Sequence, residues 1–516
     1  MTNASVFLSK CKRLYVLVAA VGALAMLGII TIIWSGAHRL SDPFQQATSS
    51  YDETFLSDDG DDDLRATTTI EDPTAAVQAY GPLPLELLRY CNMPSTRQQF
   101  DNAANFLVSI SGPEGTVARM LFGTGPNRYN PNLLPYPAGS EHPYIGFARQ
   151  SPRRGIIHHE IVYCDMDWGE TPVIGRRILR CVEPGNARRL VLTDVASPSG
   201  SCKSHRYLEL KQGHMDPRIF FSPMGEPLMV VGMNGMTNCL SQYVIDLRAV
   251  VPGLADKMNL DNVPVRYANL TELPRDDKAE VEKNWFLLYD EKNVEYVHHE
   301  FKPRSISRAH NGKNILGRQP HGPPQCMKSL LKDFSRTKDA ANVYHQATNS
   351  LRVTMCDYPC EPSIHNTVLV SLVHIKYKNI YELFYRRIAI VTNVTAPFDI
   401  IARTNNLMFA GLDEKTMLYT VSMAWDRSFN TRQDANRRRD AVSDTDHTTY
   451  NTESAGNGSQ KDERSNTTSK ANKLVDDYYH GWIKDVVMIN IGVNDRDAAV
   501  LHVPMRDVLD CIVLCG

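Results

Sequence analysis

"GHMDPRIFFSPMGEPLMVVG", residues 213–232, carries two short apolar runs, Arg218–Phe221 and Pro227–Val231, on either side of Ser222–Gly225. Runs of this length, rich in β-branched and aromatic residues and separated by Pro and Gly, read as two strands and a turn. Asp216 stands before the first strand, followed by Pro217 and Arg218. A residue before proline is biased toward extended backbone, so Pro217 is expected to fix the direction of the Asp216 carboxylate. Taken alone, the tripeptide reads equally as a turn in which Arg218 is the local partner of Asp216.

The same pattern recurs from about residue 105 to the end: "NFLVSIS", "IIHHEIVYC", "RRLVLTDV", "WFLLYD", "VEYVHHE", "TVLVSLVHIKY", "YRRIAIV", "TMLYTVSMAW" and "DVVMINIG". Helical stretches are few: "LPLELLRY", "DLRAVVPGLADKM" at 246–258, and "CMKSLLKDF". Without crossover helices a doubly wound α/β fold is excluded, and an all-β domain is expected. A propeller would place its chemistry where the inner strands meet the central channel; a pair of sandwiches is the structural alternative.

Outside that domain, Leu14–Trp34 is a 21-residue run without charge, long enough to cross a hydrocarbon layer of about 30 Å. Lys10, Lys12 and Arg13 precede it, which predicts a cytosolic tail at 1–13, a signal anchor at 14–34 and a lumenal remainder. Residues 35–80 include "SDDGDDDLRATTTIEDP" and read as an acidic disordered stem, leaving 81–516 as the lumenal catalytic domain. The polar stretch at about 427–474 reads as a disordered insertion between strands. Asn269, Asn393, Asn457 and Asn466 each open a glycosylation sequon on the lumenal side. Ten of the eleven cysteines also fall there, with Cys356–Cys360 and Cys511–Cys515 as plausible local bridges. A net charge of -2 with 22% charged residues suggests no nucleic-acid partner.

Within "IVYCDMDWG", Asp165 and Asp167 form a D-x-D triplet that in a glycosyltransferase could hold a divalent metal against a nucleotide diphosphate. A strand-end turn is the plainer reading, because no βαβ nucleotide-binding pattern surrounds it.

"HMDPRIFF", "VEKNWFLLYDEKNVEYVHHEFKPR", "TVLVSLVHIKY" and "INIGVNDRDAAVLHVP" resemble, in this order, the signature segments of the inverting β-mannoside phosphorylases and their β-mannosyltransferase relatives. The resemblance implies a five-bladed β-propeller in which Asp216 is the catalytic acid. It implies that Lys283 and one of His298 and His299, which alternation places on opposite faces of a strand, contact phosphate or the far side of the acceptor, with Arg304 a third candidate cation. It places Arg149, in "YIGFARQSPR", on the donor side near a sugar hydroxyl or the catalytic carboxylate, and Asp495 at the -1 sugar. Arg218 joins the substrate contacts; His374 and His365 are candidates to line the same mouth, and Asp426 is an alternative to Asp495. The chain departs from the phosphorylases in carrying His214 and Met215 before "DPR", where they have an acidic residue, and their full set of phosphate-binding arginines does not map.

Joined to the anchor and stem, these features predict a type II Golgi membrane glycosyltransferase transferring mannose, with inversion, from GDP-mannose or mannose 1-phosphate to a mannose-containing glycan. No cofactor is expected, and activity is expected to be independent of divalent metal. A β-mannoside phosphorylase or hydrolase with the same Asp216 is one alternative, and a catalytically inactive carbohydrate-binding propeller is another.

Overall fold

Met215–Phe221 and Pro227–Asn234 form an antiparallel hairpin in register Phe221↔Pro227, Phe220↔Leu228, Ile219↔Met229 and Arg218↔Val230. Its turn is closed by the Ser222 amide donating to Glu226 O at 2.9 Å, with Gly225 at φ +80, a conformation that favours glycine. The computed structural model describes residues 104–124, 127–150, 158–170, 177–182, 186–194, 202–208, 212–236, 238–276, 279–301, 304–316, 326–327, 343–378, 383–413, 416–429, 478–510 and 512–515. These lie in the unit Thr68–Gly516. The proposed tail, anchor, stem and most of the 427–474 insertion, with Asn457 and Asn466, lie outside the described residues. Among the described residues no helix is long and apolar enough to cross a membrane.

Five antiparallel meanders follow one another in the chain. The first runs through Arg128–Pro135, Tyr144–Gln150, His158–Glu170 and Arg177–Cys181. The hairpin opens the second, which continues through Leu240–Asp246 and the short Thr271–Glu272. Phe286–Tyr289, Glu295–Phe301 and Arg304–Arg308 make the third. In the fourth, Val343–Gln346 and Leu351–Thr354 both pair with Thr367–Lys378, followed by Leu383–Asn393 and Ile400–Arg403. The fifth consists of Leu418–Trp425, Val486–Val493 and Asp497–Pro504, and its last strand is supplied from the other end of the chain by Ala118–Leu121. That strand pairs antiparallel with Asp497–Pro504 and parallel with Arg177–Cys181, so the first and fifth meanders share one sheet. The arrangement is all-β and propeller-like.

Alternation explains why the strands read as continuous apolar runs. In the second meander Ile219, Phe221, Met229 and Val231 enter a core shared with Phe147 and Val162 of the first, whereas Phe220, Leu228 and Val230 enter one shared with Leu287 and Val297 of the third. A further core joins Val370 and Val391 of the fourth meander to Ile489 and Leu501 of the fifth. Each inner sheet face therefore packs on a neighbouring meander, leaving no solvated face to demand polar residues at every second position.

Several local expectations are corrected. "NFLVSIS" is a strand only over Ala104–Leu107, and "RRLVLTDV" only over Arg188–Arg189. "DLRAVVPGLADKM" is broken by Pro252 and Gly253 into the turn Leu247–Ala249 and the helix Leu254–Met258. Cys356–Cys360 is bonded, but Cys515 pairs with Cys326 rather than Cys511, because the chain end returns to the fourth meander, where Cys515 donates its amide to Ile401 O. Cys164–Cys181 and Cys202–Cys239 complete four disulfides among the described residues.

Below the second meander, fully buried Asp246 accepts from Arg248 Nε at 3.0 and 3.2 Å, while Arg248 Nη1 donates to Leu260 O and Val263 O at 3.1 and 2.7 Å. Arg248→Ala strands the carboxylate without its cation and is expected to destabilise the domain by about 3–5 kcal/mol, measured by urea unfolding.

Candidate active site

The first strands of the first, second and fifth meanders pack against one another, and their ends bring the functional groups together. Asp216 opens the second meander with φ +52, left-handed rather than extended. The expectation drawn from Pro217 is thus overturned: Asp tolerates this region better than most residues, and two side chains hold it there. Arg149 Nη1 donates to Asp216 Oδ1 at 2.5 Å and Asn130 Nδ2 donates to the same oxygen at 2.9 Å. Asn130 itself has φ +50. Backbone strain of this kind persists where the surroundings over-determine it, which suits a site whose geometry must be fixed.

Burial pushes the Asp216 carboxyl up, but the charges of Arg149, Arg218 and Lys283 outweigh it and hold the group well below the usual carboxylate range. In the free protein Asp216 is therefore held as an anion, with 45% of its side chain still open to solvent. Arg149 is nearly enclosed, donates its other Nη to His159 Nδ1 at 3.0 Å, and lies over the Tyr129 ring at 5.2 Å. Arg218 is buried, donates to Val421 O at 3.2 Å and sits 5.0 Å from the Tyr419 ring centroid. Lys283 directly precedes the third meander and acts on Asp216 and on His345.

A second layer surrounds this cluster. Asp495, at φ +48 in the turn between Val486–Val493 and Asp497–Pro504, acts on Arg149, Tyr385 and Tyr419. Tyr385 and Tyr419 meet edge to face at 5.4 Å. Both phenols are raised, burial first, with Asp216 and Asp495 adding to it. His374 is fully buried, with its Nε2 3.2 Å from the Thr420 amide and 2.7 Å from Thr420 Oγ1, and burial holds its pKa well below normal. His345 pairs opposite His374 across the fourth meander, and its Nδ1 lies 3.4 Å from Asn284 Nδ2.

Burial, then Lys376 and Lys283, lowers His345 from 6.5 to about 4. The unfolded chain binds this proton first as pH falls, so His345 makes folding stability drop between about pH 6.5 and 4, by up to about 1.4 kcal/mol per pH unit. His345→Gln is expected to flatten that dependence, seen in urea midpoints across the window.

Other predicted residues lie in different surroundings. His299 falls at a bulge, lies within 2.7 Å of Ser307 Oγ through Nε2 and packs edge to face on Trp285. His298 is buried against Phe301, with burial and then Arg304 driving its pKa well below normal. Arg304 donates to Pro397 O and Phe398 O, and burial lowers it to about 10. Asp165 and Asp167 lie inside the strand His158–Glu170 rather than at its end. Asp165 accepts from Tyr136 OH and is paired with Lys257, while Asp167 receives the Trp168 amide. Asp426 is buried 3.1 Å from His502 Nε2 and accepts from Tyr144 OH. His365 is exposed, on the loop between Leu351–Thr354 and Thr367–Lys378. Asn269 is exposed and Asn393 half-buried.

Sequence reasoning missed Asn130, His159, Asn284, His345, Tyr385 and Tyr419. The one local signal was "RYNPN", where an Asn before Pro marks special backbone.

No family model matches the chain, and no curated protein matches it. Among solved structures, a candidate glycoside hydrolase from Bacteroides ovatus superposes with a TM-score of 0.35 at 10% identity, over 81% of this chain and 99% of that one. A hypothetical protein from Leishmania major gives 0.35 at 11%, over 78% and 94%. A mannose phosphorylase from Leishmania mexicana, in complex with phosphate ion, gives 0.35 at 9%, over 78% and 92%. Likeness at this level assigns no family to the chain.

Proposed function

We propose that the chain is a carbohydrate-active enzyme with a five-bladed propeller domain, acting with inversion on β-mannosides as a phosphorylase or, in microscopic reverse, as a transferase from mannose 1-phosphate. The observation that carries this reading is the half-open Asp216 carboxylate gripped by Arg149 and Asn130 and lying in the field of Arg218 and Lys283. The motif resemblance supports mannose as the sugar.

In phosphorolysis a phosphate oxygen attacks C1 as the glycosidic C1–O bond breaks on the opposite face, and Asp216 supplies the proton that the leaving oxygen takes. Phosphate held near the three cations offsets the positive field that keeps Asp216 ionised, and so promotes its protonation. In reverse, ionised Asp216 removes the acceptor hydroxyl's proton as mannose passes from phosphate to the acceptor oxygen. The anionic Asp216 of the free protein is the form this synthetic direction starts from, and GDP-mannose is the alternative donor there. Asp495, acting on the same Arg149, supports a second reading: a hydrolase in which it would serve as base toward water.

We further propose the Golgi lumen as the compartment, with membrane attachment through Leu14–Trp34 and a mannose-containing glycan as acceptor. Four disulfides support an oxidising location. Catalysis without added metal is part of the same proposal, tested by an EDTA arm.

The assay incubates the protein with β-mannosides with and without inorganic phosphate, and with mannose 1-phosphate or GDP-mannose plus mannoside acceptors. Phosphate-dependent α-mannose 1-phosphate supports the phosphorylase, and transfer from GDP-mannose alone moves the assignment to a nucleotide-dependent transferase. Free mannose without phosphate supports the hydrolase. Glycan binding without turnover overturns the enzymatic reading.

A further inference from the structure

The two faces of the fourth meander are unlike. Val343–Gln346, Thr367–Lys378 and Leu383–Asn393 pair in register, with His345 opposite His374, His374 opposite Arg387 and Lys376 opposite Tyr385. Alternation therefore sets His345, His374, Lys376, Tyr385 and Arg387 on one face. The other face sends Tyr344, Val373, Ile375, Ile388 and Ile390 into a core with Cys326 and Cys515. A polar face of this kind needs a polar neighbour, and the neighbour it has is the active site.

Tyr385 packs on His374 at 5.3 Å and on Tyr419 of the fifth meander at 5.4 Å. Tyr419 OH donates to Asn284 Oδ1 at 3.4 Å, and Asn284 Nδ2 lies 3.4 Å from His345 Nδ1, which brings the neighbouring Lys283 to this face. The charges of Asp495 and Asp216 reach Tyr385, whereas those of Lys376 and Lys283 reach His345. Lys283 acts on Asp216 as well. The cations thus form one array, from Arg149 and Arg218 through Lys283 to Lys376. Lys283, His345, Lys376 and Tyr385 are all half-buried, and among the described residues the Tyr385 hydroxyl makes no hydrogen bond. Arg149, Arg218 and Lys283 suffice for one phosphate beside Asp216. Lys376 and Tyr385 extend the array with an ammonium and a phenol donor, and none of the five polar residues on this face is a carboxylate that would neutralise them.

We propose that Lys376 and Tyr385, with Lys283 shared, form a second oxyanion subsite, so that the ligand of this site is a sugar diphosphate ester. Its inner phosphoryl group lies beside Arg218 and Lys283, and its outer one lies between Lys283 and Lys376 with the Tyr385 hydroxyl donating to it. The inference rests on the reading of the Asp216 site as one for sugar phosphates, and it names the class of donor. His345, held neutral by burial and then by Lys376 and Lys283, leaves the charge of the subsite to the two ammonium groups.

The test is titration calorimetry of the full chain, in EDTA, with inorganic phosphate and inorganic pyrophosphate as probes. The wild type should bind pyrophosphate about tenfold or more tighter than phosphate, the worth of one further charge-assisted contact. Lys376→Gln should remove that preference and Tyr385→Phe should cut it about threefold, each with phosphate affinity unchanged, whereas Arg149→Gln weakens both anions. Tyr385→Phe keeps both ring contacts, so it folds even if Lys376→Gln does not. Equal affinity of the wild type for the two anions overturns the proposal, and so does a preference that neither Lys376→Gln nor Tyr385→Phe changes. Pyrophosphate preference in a protein that turns over no mannoside upholds the subsite and overturns only the enzymatic reading; phosphorolysis without the preference does the reverse.

Discussion

Asp216→Asn is expected to lower turnover of the preferred mannoside by about 10²–10⁴-fold, the usual contribution of a positioned acid or base. Asn preserves the size of the side chain and an oxygen for Arg149 and Asn130, yet it can neither donate the leaving-group proton nor take one from an acceptor hydroxyl. Because Asp216 is half-exposed and outside the apolar cores, the variant should fold. Loss of turnover with Tm and glycan binding retained, the latter by calorimetry, fits the proposed role. Turnover within tenfold of the wild type would remove Asp216 from the chemistry and leave "MDPR" as a turn.

Arg149→Gln should reduce kcat/KM for phosphorolysis by about 10- to 100-fold, the worth of one charge-assisted hydrogen bond, with most of the loss in KM for phosphate. It also has a signature in pH. The Asp216 carboxyl is depressed from 3.8, so the ion cluster's stabilising contribution is complete above that value and fades as pH falls through the lower folded one. Without Arg149 the folded value rises toward 3.8. The acid-unfolding midpoint then moves to higher pH, while Asp216→Asn abolishes this dependence. A phosphate KM and an acid midpoint both unchanged by Arg149→Gln would show that the Arg149–Asp216 contact is structural detail without function.

The strands were legible because their chemistry is local: "IFF" and "LMVV" feed two different cores and so carry no polar alternation. The short pairings were not, since nothing distinguishes Arg188–Arg189 from the rest of "RRLVLTDV" until Val162 and Tyr163 lie opposite. At the site, Asp216 was marked by its neighbours Pro217 and Arg218. Its other partners come from far along the chain, Arg149 and Asn130 lying 67 and 86 residues away. Tyr385 and Tyr419 sit in runs that read simply as strand. Alternation placed His298 and His299 on opposite faces, but the register shift at this point is set by pairing with Arg304–Arg308 and is invisible in either strand alone. The ionised state of Asp216 is likewise not legible in the sequence, because it depends on cations brought in from other strands.

The pairing of Ala118–Leu121 with Asp497–Pro504 also dictates when the domain can exist. The partners are separated by roughly 380 residues, so this contact has a very high sequence separation and costs loop-closure entropy that nearer pairings do not. While the chain is being made, the edge of Ala118–Leu121 that faces away from Arg177–Cys181 must wait unpaired until Asp497–Pro504 emerges, a state prone to association with other chains. A chain that stops before Asp497–Pro504 therefore keeps an open, aggregation-prone arc.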